Sequence, residues 1–142
     1  YLGIDLGGTN IAVGVVDENN AIIARATSKT KVDSPEQVAD AMAETARAAL
    51  ANAGLTLDDV PWVGLGSPGT INKATGIIEF ANNLAFNNVP AREMLRERRI
   101  VGQAFRPHVR IQSGRQRVQS ARPYPEQQGD EGARATHSPE PG

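Results

Sequence analysis

The chain has 142 residues, of which 39% are hydrophobic and 22% charged, and its net charge is −1. That profile fits one soluble globular domain and excludes a collagenous or wholly disordered chain. With no Cys, disulfide scaffolds, thiol nucleophiles and Cys-based zinc sites are excluded as well.

In chain order, Tyr1 to Leu6 is a short apolar run, followed by Gly7-Gly8-Thr9-Asn10. Ile11 to Val16 is a second run, Asp17-Glu18-Asn19-Asn20 a turn cluster, and Ala21 to Thr27 a third run. Two strands joined at a Gly-Gly turn, then a third after an Asn-containing turn, predict an antiparallel meander. Ser34-Pro35-Glu36-Gln37 is a helix start: a capping Ser, a Pro suited to the first helical position, and a Gln where a capping box needs it. Val38, Ala41, Met42, Thr45, Ala46, Ala49, Leu50 and Ala53 then repeat at helical spacing, and Gly54 supplies the stop. Trp62 to Ser67 reads as a fourth strand, closed by Ser67-Pro68-Gly69. After a crossover helix it is expected to run parallel to an earlier strand. Gly76 to Phe80 reads as a further strand, and Asn88-Val89-Pro90 opens a second helix from Ala91 to about Arg98. The order predicts an α/β layer with one mixed sheet.

Composition changes near Arg98. Residues 1–98 carry 45 of the apolar set and a net charge of −4. Residues 99–142 carry only 11, with net +3, seven Arg, no Lys, five Pro and six Gln. Such a segment buries too little apolar area to offset the entropy of ordering it. The expected division is therefore a globular part, 1–98, and a disordered or out-of-frame tail, 99–142. No apolar run reaches the roughly 20 residues of a membrane span, and no secretory leader pattern stands at the start. The chain does not begin with Met, so its natural start is expected to lie upstream. The near-neutral charge gives no reason to expect nucleic acid or an anionic membrane as a partner. A cytoplasmic location is expected.

Three short stretches are candidates for chemistry. In Asp5-Leu6-Gly7-Gly8-Thr9-Asn10, two glycines at a tight hairpin leave backbone N–H groups open to an anion. Thr9 and Asn10 add donors, and Asp5 at the strand end is placed to hold a hydrated cation beside a phosphate. Gly-Gly is also common in plain hairpin turns. The stretch is neither a Walker loop nor a dinucleotide fingerprint: the lysine and the third glycine are missing, and no helix follows directly. The second stretch, Gly64-Leu65-Gly66-Ser67-Pro68-Gly69-Thr70, lies at a strand's carboxyl end, where α/β sheets bind ligands. It is equally a strand-exit turn. The third is Asn82-Asn83-Leu84, whose amides suit a sugar hydroxyl, though adjacent Asn residues are ordinary in loops.

Taken together and in this order, Gly3-Ile4-Asp5-Leu6-Gly7-Gly8-Thr9-Asn10, Gly64 to Gly69 and Ala81-Asn82-Asn83-Leu84 resemble the amino-terminal lobe of the ROK family (repressor, open reading frame, kinase), and within it the ATP-dependent glucokinase group. The resemblance covers about two-thirds of the chain. It implies an actin-like, ribonuclease-H-type fold with two lobes closing over ATP and sugar, and a place in carbohydrate metabolism and glycolysis. By match, Asp5, Gly7, Gly8, Thr9 and Asn10 face the nucleotide phosphates, with Asp5 toward Mg2+. Gly69 and Asn83 touch the hexose, glucose being the expected one. A homo-oligomer is also implied for the intact protein.

The family continues with a strand and then Glu-Asn-Asp-Ala-Asn, whose Asp takes the proton from the sugar 6-hydroxyl. Here no such motif follows Arg98. The later acids are Glu126, Asp130, Glu131 and Glu140, none in a matching context, and His108 and His137 are isolated. A kinase fragment without its base is expected to be inactive, and its uncovered sheet to make it poorly soluble or unstable. Two other readings are a sugar-sensing ROK regulator fragment and a non-enzymatic module binding an acidic partner through its Arg-rich tail.

Overall fold

The computed structural model describes residues 1–31 and 33–100, and the backbone of 110–113. Strands β1 (Leu2–Leu6), β2 (Asn10–Val16) and β3 (Ile22–Lys29) form the expected meander. Asp17 makes its second turn: Oδ1 accepts from the amides of Asn19 and Ala21, both at 2.9 Å, while Asn20 takes a positive φ of 62°. Helix α1 (Pro35–Asn52) begins as its sequence dictates, with the Gln37 amide donating to Ser34 Oγ at 3.2 Å. It ends where Gly54 adopts φ 68°, a conformation that costs a glycine little.

Strand β4 (Val63–Ser67) then pairs in parallel with β1, from Leu2 opposite Val63 to Asp5 opposite Gly66. Alternation decides what each strand buries. Leu2, Ile4, Leu6, Ile11, Val13, Val15, Val63 and Leu65 point to one face and are at most 3% exposed. Against them lies the α1 stripe of Val38, Met42, Ala46, Ala49 and Leu50. Each fully buried Leu- or Ile-sized side chain contributes about 1.5–3 kcal/mol. Thr45 sits in the same stripe without penalty. Its hydroxyl donates to the Ala41 carbonyl at 2.6 Å and lies 2.7 Å from Ser28 Oγ on β3, so the buried oxygen is satisfied.

The expectation of one sheet is incomplete. Beyond Gly69 the chain leaves the main sheet and builds a second one from β5 (Thr70–Asn72), β6 (Ile77–Ala81) and β7 (Phe86–Val89), all antiparallel. The run around Ile77 announces a strand, but nothing in its pattern says which sheet it joins. Phe86–Val89 escapes notice because Ala85 just before it and Asn88 within it both take φ 50°. Arg92 fastens this unit to helix α2 (Ala91–Glu97), donating to the carbonyls of Lys73 and Ala74 at 2.8 Å each. Arg98 ties α2 to α1 through Asp40 Oδ1 at 2.6 Å and the Glu36 carbonyl at 3.2 Å.

Ordered structure continues past residue 98, where composition marked the end of the globular part. Ile100 is 1% exposed and its amide donates to the Leu95 carbonyl. Strand β8 (Arg110–Ser113) adds to the free edge of β4 in parallel, from Gly64 opposite Arg110 to Ser67 opposite Ser113. The main sheet is thus five-stranded, in the order β3-β2-β1-β4-β8. Average composition misses a four-residue edge strand because a partner strand, not its own apolar content, stabilises it. The rest of the segment read as a tail, with His108 and His137, lies outside the described residues. No helix among the described residues is long and apolar enough to cross a membrane.

Candidate functional site

The parallel pair β1 and β4 sends two loops to the same end of the sheet, the Gly7-Gly8 hairpin and the Ser67-Pro68-Gly69 turn. The hairpin is held from below. The Gly7 amide donates to the Asn10 carbonyl at 2.9 Å, and a Cβ on Gly7 would lie 2.8 Å from that oxygen. Gly7 is therefore demanded by the turn itself. Thr30 braces the outside, its hydroxyl donating to the Gly7 carbonyl at 2.8 Å and its amide to the Thr9 carbonyl at 2.9 Å. Reading the sequence missed Thr30. Antiparallel pairing of β2 with β3 was its signal, since Asn10 opposite Lys29 puts the next residue beside Thr9.

The amides of Gly8 and Thr9 donate to no acceptor among the described residues. Unpaired adjacent amides in a glycine turn can form an anion-binding concavity. Thr9 and Asn10 are exposed at its rim, while Gly7 and Gly8 are half-buried. Asp5 is exposed on the neighbouring strand, with Oδ1 3.6 Å from where a Cβ of Gly66 would stand. Among the described residues no group of three or more His, Cys, Asp or Glu is placed to hold a metal ion. A cation at Asp5 would therefore need other oxygens, such as phosphate and water, to complete its shell.

The sugar candidates converge on this loop. Gly69 has φ 94°, and a Cβ there would collide with the Phe80 carbonyl oxygen. Its glycine is required for the turn to lie on β6, whatever it binds. That contact fixes the end of β6, after which Asn82–Leu84 make a single 3-10 turn with Leu84 buried. The turn delivers Asn83 to the hairpin, where a Cβ on Gly8 would stand 3.0 Å from Asn83 Cβ. Gly8 is small because Asn83 approaches it. Asn83 itself is exposed. Asp5, Gly7, Gly8, Thr9, Asn10, Gly69 and Asn83 thus gather at one end of the main sheet. Strand β8 ends there too, with Ser113 beside Ser67.

The model of the ROK family matches residues 1–112. The chain belongs to the ROK family. The match runs 14 residues beyond position 98 and takes in nearly all of β8. Among relatives, the glucokinase of Thermotoga maritima is 36% identical over 99 residues, covering 68% of this chain and 30% of that protein. The glucokinase of Streptomyces coelicolor is 32% identical over 97 residues, covering 68% and 29%. Among solved structures, the ROK hexokinase of Thermus thermophilus superimposes with a TM-score of 0.65 at 32% identity, over 79% of this chain and 34% of that one. The ROK glucokinase of Streptomyces griseus, solved with glucose and AMPPNP, superimposes with a TM-score of 0.61 at 30% identity, over 79% and 32%. The chain therefore spans about a third of the length of these relatives and carries the amino-terminal part of their actin-like fold.

Proposed function

We propose that residues 1–113 are the amino-terminal half of the substrate cleft of an ATP-dependent hexose kinase, with glucose as the sugar. The observation that carries this reading is the meeting of the open Gly8 and Thr9 amides with Asn83 at one end of the sheet. In the complete enzyme, ATP with Mg2+ supplies a transferable γ-phosphoryl group to the sugar 6-hydroxyl. This chain's share is positional. The amides of Gly8 and Thr9 donate to phosphate oxygens, with Thr9 Oγ1 and the Asn10 side-chain amide at the rim. Asp5 stands where a carboxylate can face the cation. Asn83 and the backbone at Gly69 hold sugar hydroxyls. Phosphoryl transfer needs positioning and charge stabilisation from both sides of the nucleotide, as well as an acceptor for the hydroxyl proton.

The sequence given holds no Glu-Asn-Asp-Ala-Asn motif to supply that acceptor. We read β8 as the counterpart of the strand that precedes the family's Glu-Asn-Asp-Ala-Asn; the sequence after Ser113 is Gly114-Arg115-Gln116-Arg117, with no carboxylate before Glu126. We therefore read the chain as binding-competent but catalytically silent, a cytoplasmic fragment of the kinase type. The regulator alternative finds no support, since the solved relatives named above are a hexokinase and a glucokinase. Equilibrium dialysis against Mg-ATP and glucose, run beside a coupled phosphorylation assay, tests both halves. Saturable binding lost in Gly8→Val, with no turnover above background, is the expected result. Turnover by the purified chain overturns the assignment of the missing base. Binding unchanged in Gly8→Val overturns the phosphate loop.

A further inference from the structure

The turn between β1 and β2 is not closed in the usual way. In a two-residue hairpin turn the carbonyl of the first residue accepts from the amide of the fourth. Here the Gly7 amide donates to the Asn10 carbonyl at 2.9 Å, but the return bond, from the Asn10 amide to the Gly7 carbonyl, is not formed. Gly8 and Thr9 make an open bend. The Gly7 carbonyl accepts instead from Thr30 Oγ1 at 2.8 Å, and the Thr30 amide donates to the Thr9 carbonyl at 2.9 Å.

A trans peptide unit is planar, and its C=O and N–H point in opposite directions. Holding the Gly7 carbonyl toward Thr30 therefore aims the Gly8 amide away from Thr30, where it meets no acceptor among the described residues. Holding the Thr9 carbonyl fixes the Thr9–Asn10 unit in the same way. The unit between these two carries the Thr9 amide. Both open amides thus depend on planes that one residue holds. Two adjacent glycines leave the loop backbone freedom that an anchor from outside has to remove. Thr30 suits that task because it is itself fixed. It is half-buried just past the end of β3, in alternation with Ala24, Ala26 and Ser28, and Ser28 Oγ lies 2.7 Å from Thr45 Oγ1 on α1.

We propose that Thr30 is a positioning residue of the phosphate loop. By claiming the Gly7 carbonyl, its hydroxyl keeps the turn open and sets how strongly the Gly8 and Thr9 amides hold a phosphate group. This assignment rests on the reading of Gly7-Gly8-Thr9 as the phosphate loop. Thr30 itself touches neither nucleotide nor sugar. Without the hydroxyl, the Gly7 carbonyl turns to the Asn10 amide, its ordinary partner in a closed turn. That closure rotates the Gly7–Gly8 plane and takes the Gly8 amide out of line. Affinity then falls because the loop is no longer pre-organised, with no ligand contact deleted. The strand has no need of the hydroxyl: the Thr30 amide keeps its bond to Thr9, and a β-branched Val suits the extended backbone as well as Thr does.

The test titrates the full 142-residue chain with Mg-ATP by calorimetry, beside amide NMR of the unliganded chain. Thr30→Val removes the hydroxyl and keeps the branched shape, while Thr30→Ser keeps the hydroxyl. Ser28→Ala loses a hydroxyl contact with α1 instead and controls for a general loss of stability. Thr30→Val is expected to weaken Mg-ATP roughly tenfold and Thr30→Ser less than about twofold. The Gly8 amide resonance of the unliganded Thr30→Val chain is expected to shift. Ser28→Ala is expected to melt earlier with its affinity unchanged. Full affinity in Thr30→Val, or an equal loss in Thr30→Ser or Ser28→Ala, would overturn the proposal and leave the phosphate loop standing. A parent chain without saturable Mg-ATP binding would overturn the phosphate loop and this proposal with it. A Thr30→Val chain whose whole amide spectrum collapses would make the hydroxyl a folding element, which overturns the positioning role as well.

Discussion

The two faces of the main sheet are made by the same strands and differ in every respect that matters. One carries Leu2, Ile4, Leu6, Val13 and Leu65 and is sealed by α1; the other carries Gly3, Asp5, Ala12, Gly14 and Gly66 and is open among the described residues. On the sealed face each residue type follows from contacts inside the chain. On the open face no contact among the described residues requires Gly3, Gly14 or Gly66 to be glycine.

Substitutions on the sealed face break the comparison hardest. Leu65→Ala is expected to cost about 2–5 kcal/mol, enough to leave a single small domain largely unfolded, as read by urea denaturation. Gly69→Ala comes next, since it combines φ 94° with a collision at the Phe80 carbonyl. A loss of about 1–3 kcal/mol is expected by thermal melting, together with loss of glucose binding. Ser34→Ala removes the α1 cap and should cost about 1 kcal/mol. Asp40→Ala breaks the pair with Arg98, where Asp40 is 59% exposed, and should cost at most about 1 kcal/mol, falling with added salt.

The smallest effect lies far from the site. The Thr56 amide and hydroxyl donate to Asp59 and hold its carboxyl below the ordinary 3.8. Because the folded value is the lower one, this contribution is complete above pH 3.8 and fades as pH falls through the folded value. Asp59→Asn should remove only that acid-limb component from a pH series of melting curves.

Much of this was legible in the sequence. The meander, the Ser34 cap, the α1 stripe and the parallel return of β4 follow from local pattern, because alternation and helical spacing record which side is buried. The second sheet was not legible, because Thr70–Asn72 and Phe86–Val89 are short and turn on unusual φ values rather than on hydrophobic period. Strand β8 escaped because its neighbour β4 stabilises it. At the site, the glycines and Asn83 were found by their order along the chain. Thr30 was missed because its role is visible only once β3 lies beside β2. The structure also divides the glycines in a way the sequence does not, with Gly7 and Gly69 required by the turns themselves and Gly8 by the approach of Asn83.

The central claim is that the Gly7-Gly8 hairpin, the Gly69 turn and Asn83 form half of a nucleotide and sugar site. Amide-resolved NMR of the chain during titration with Mg-ATP and then glucose tests it most directly. The account predicts saturable shifts at the Gly8 and Thr9 amides with nucleotide, and at Gly69 and Asn83 with glucose. Shifts that leave these residues unmoved, or that appear only at the opposite end of the sheet around Trp62, would contradict it.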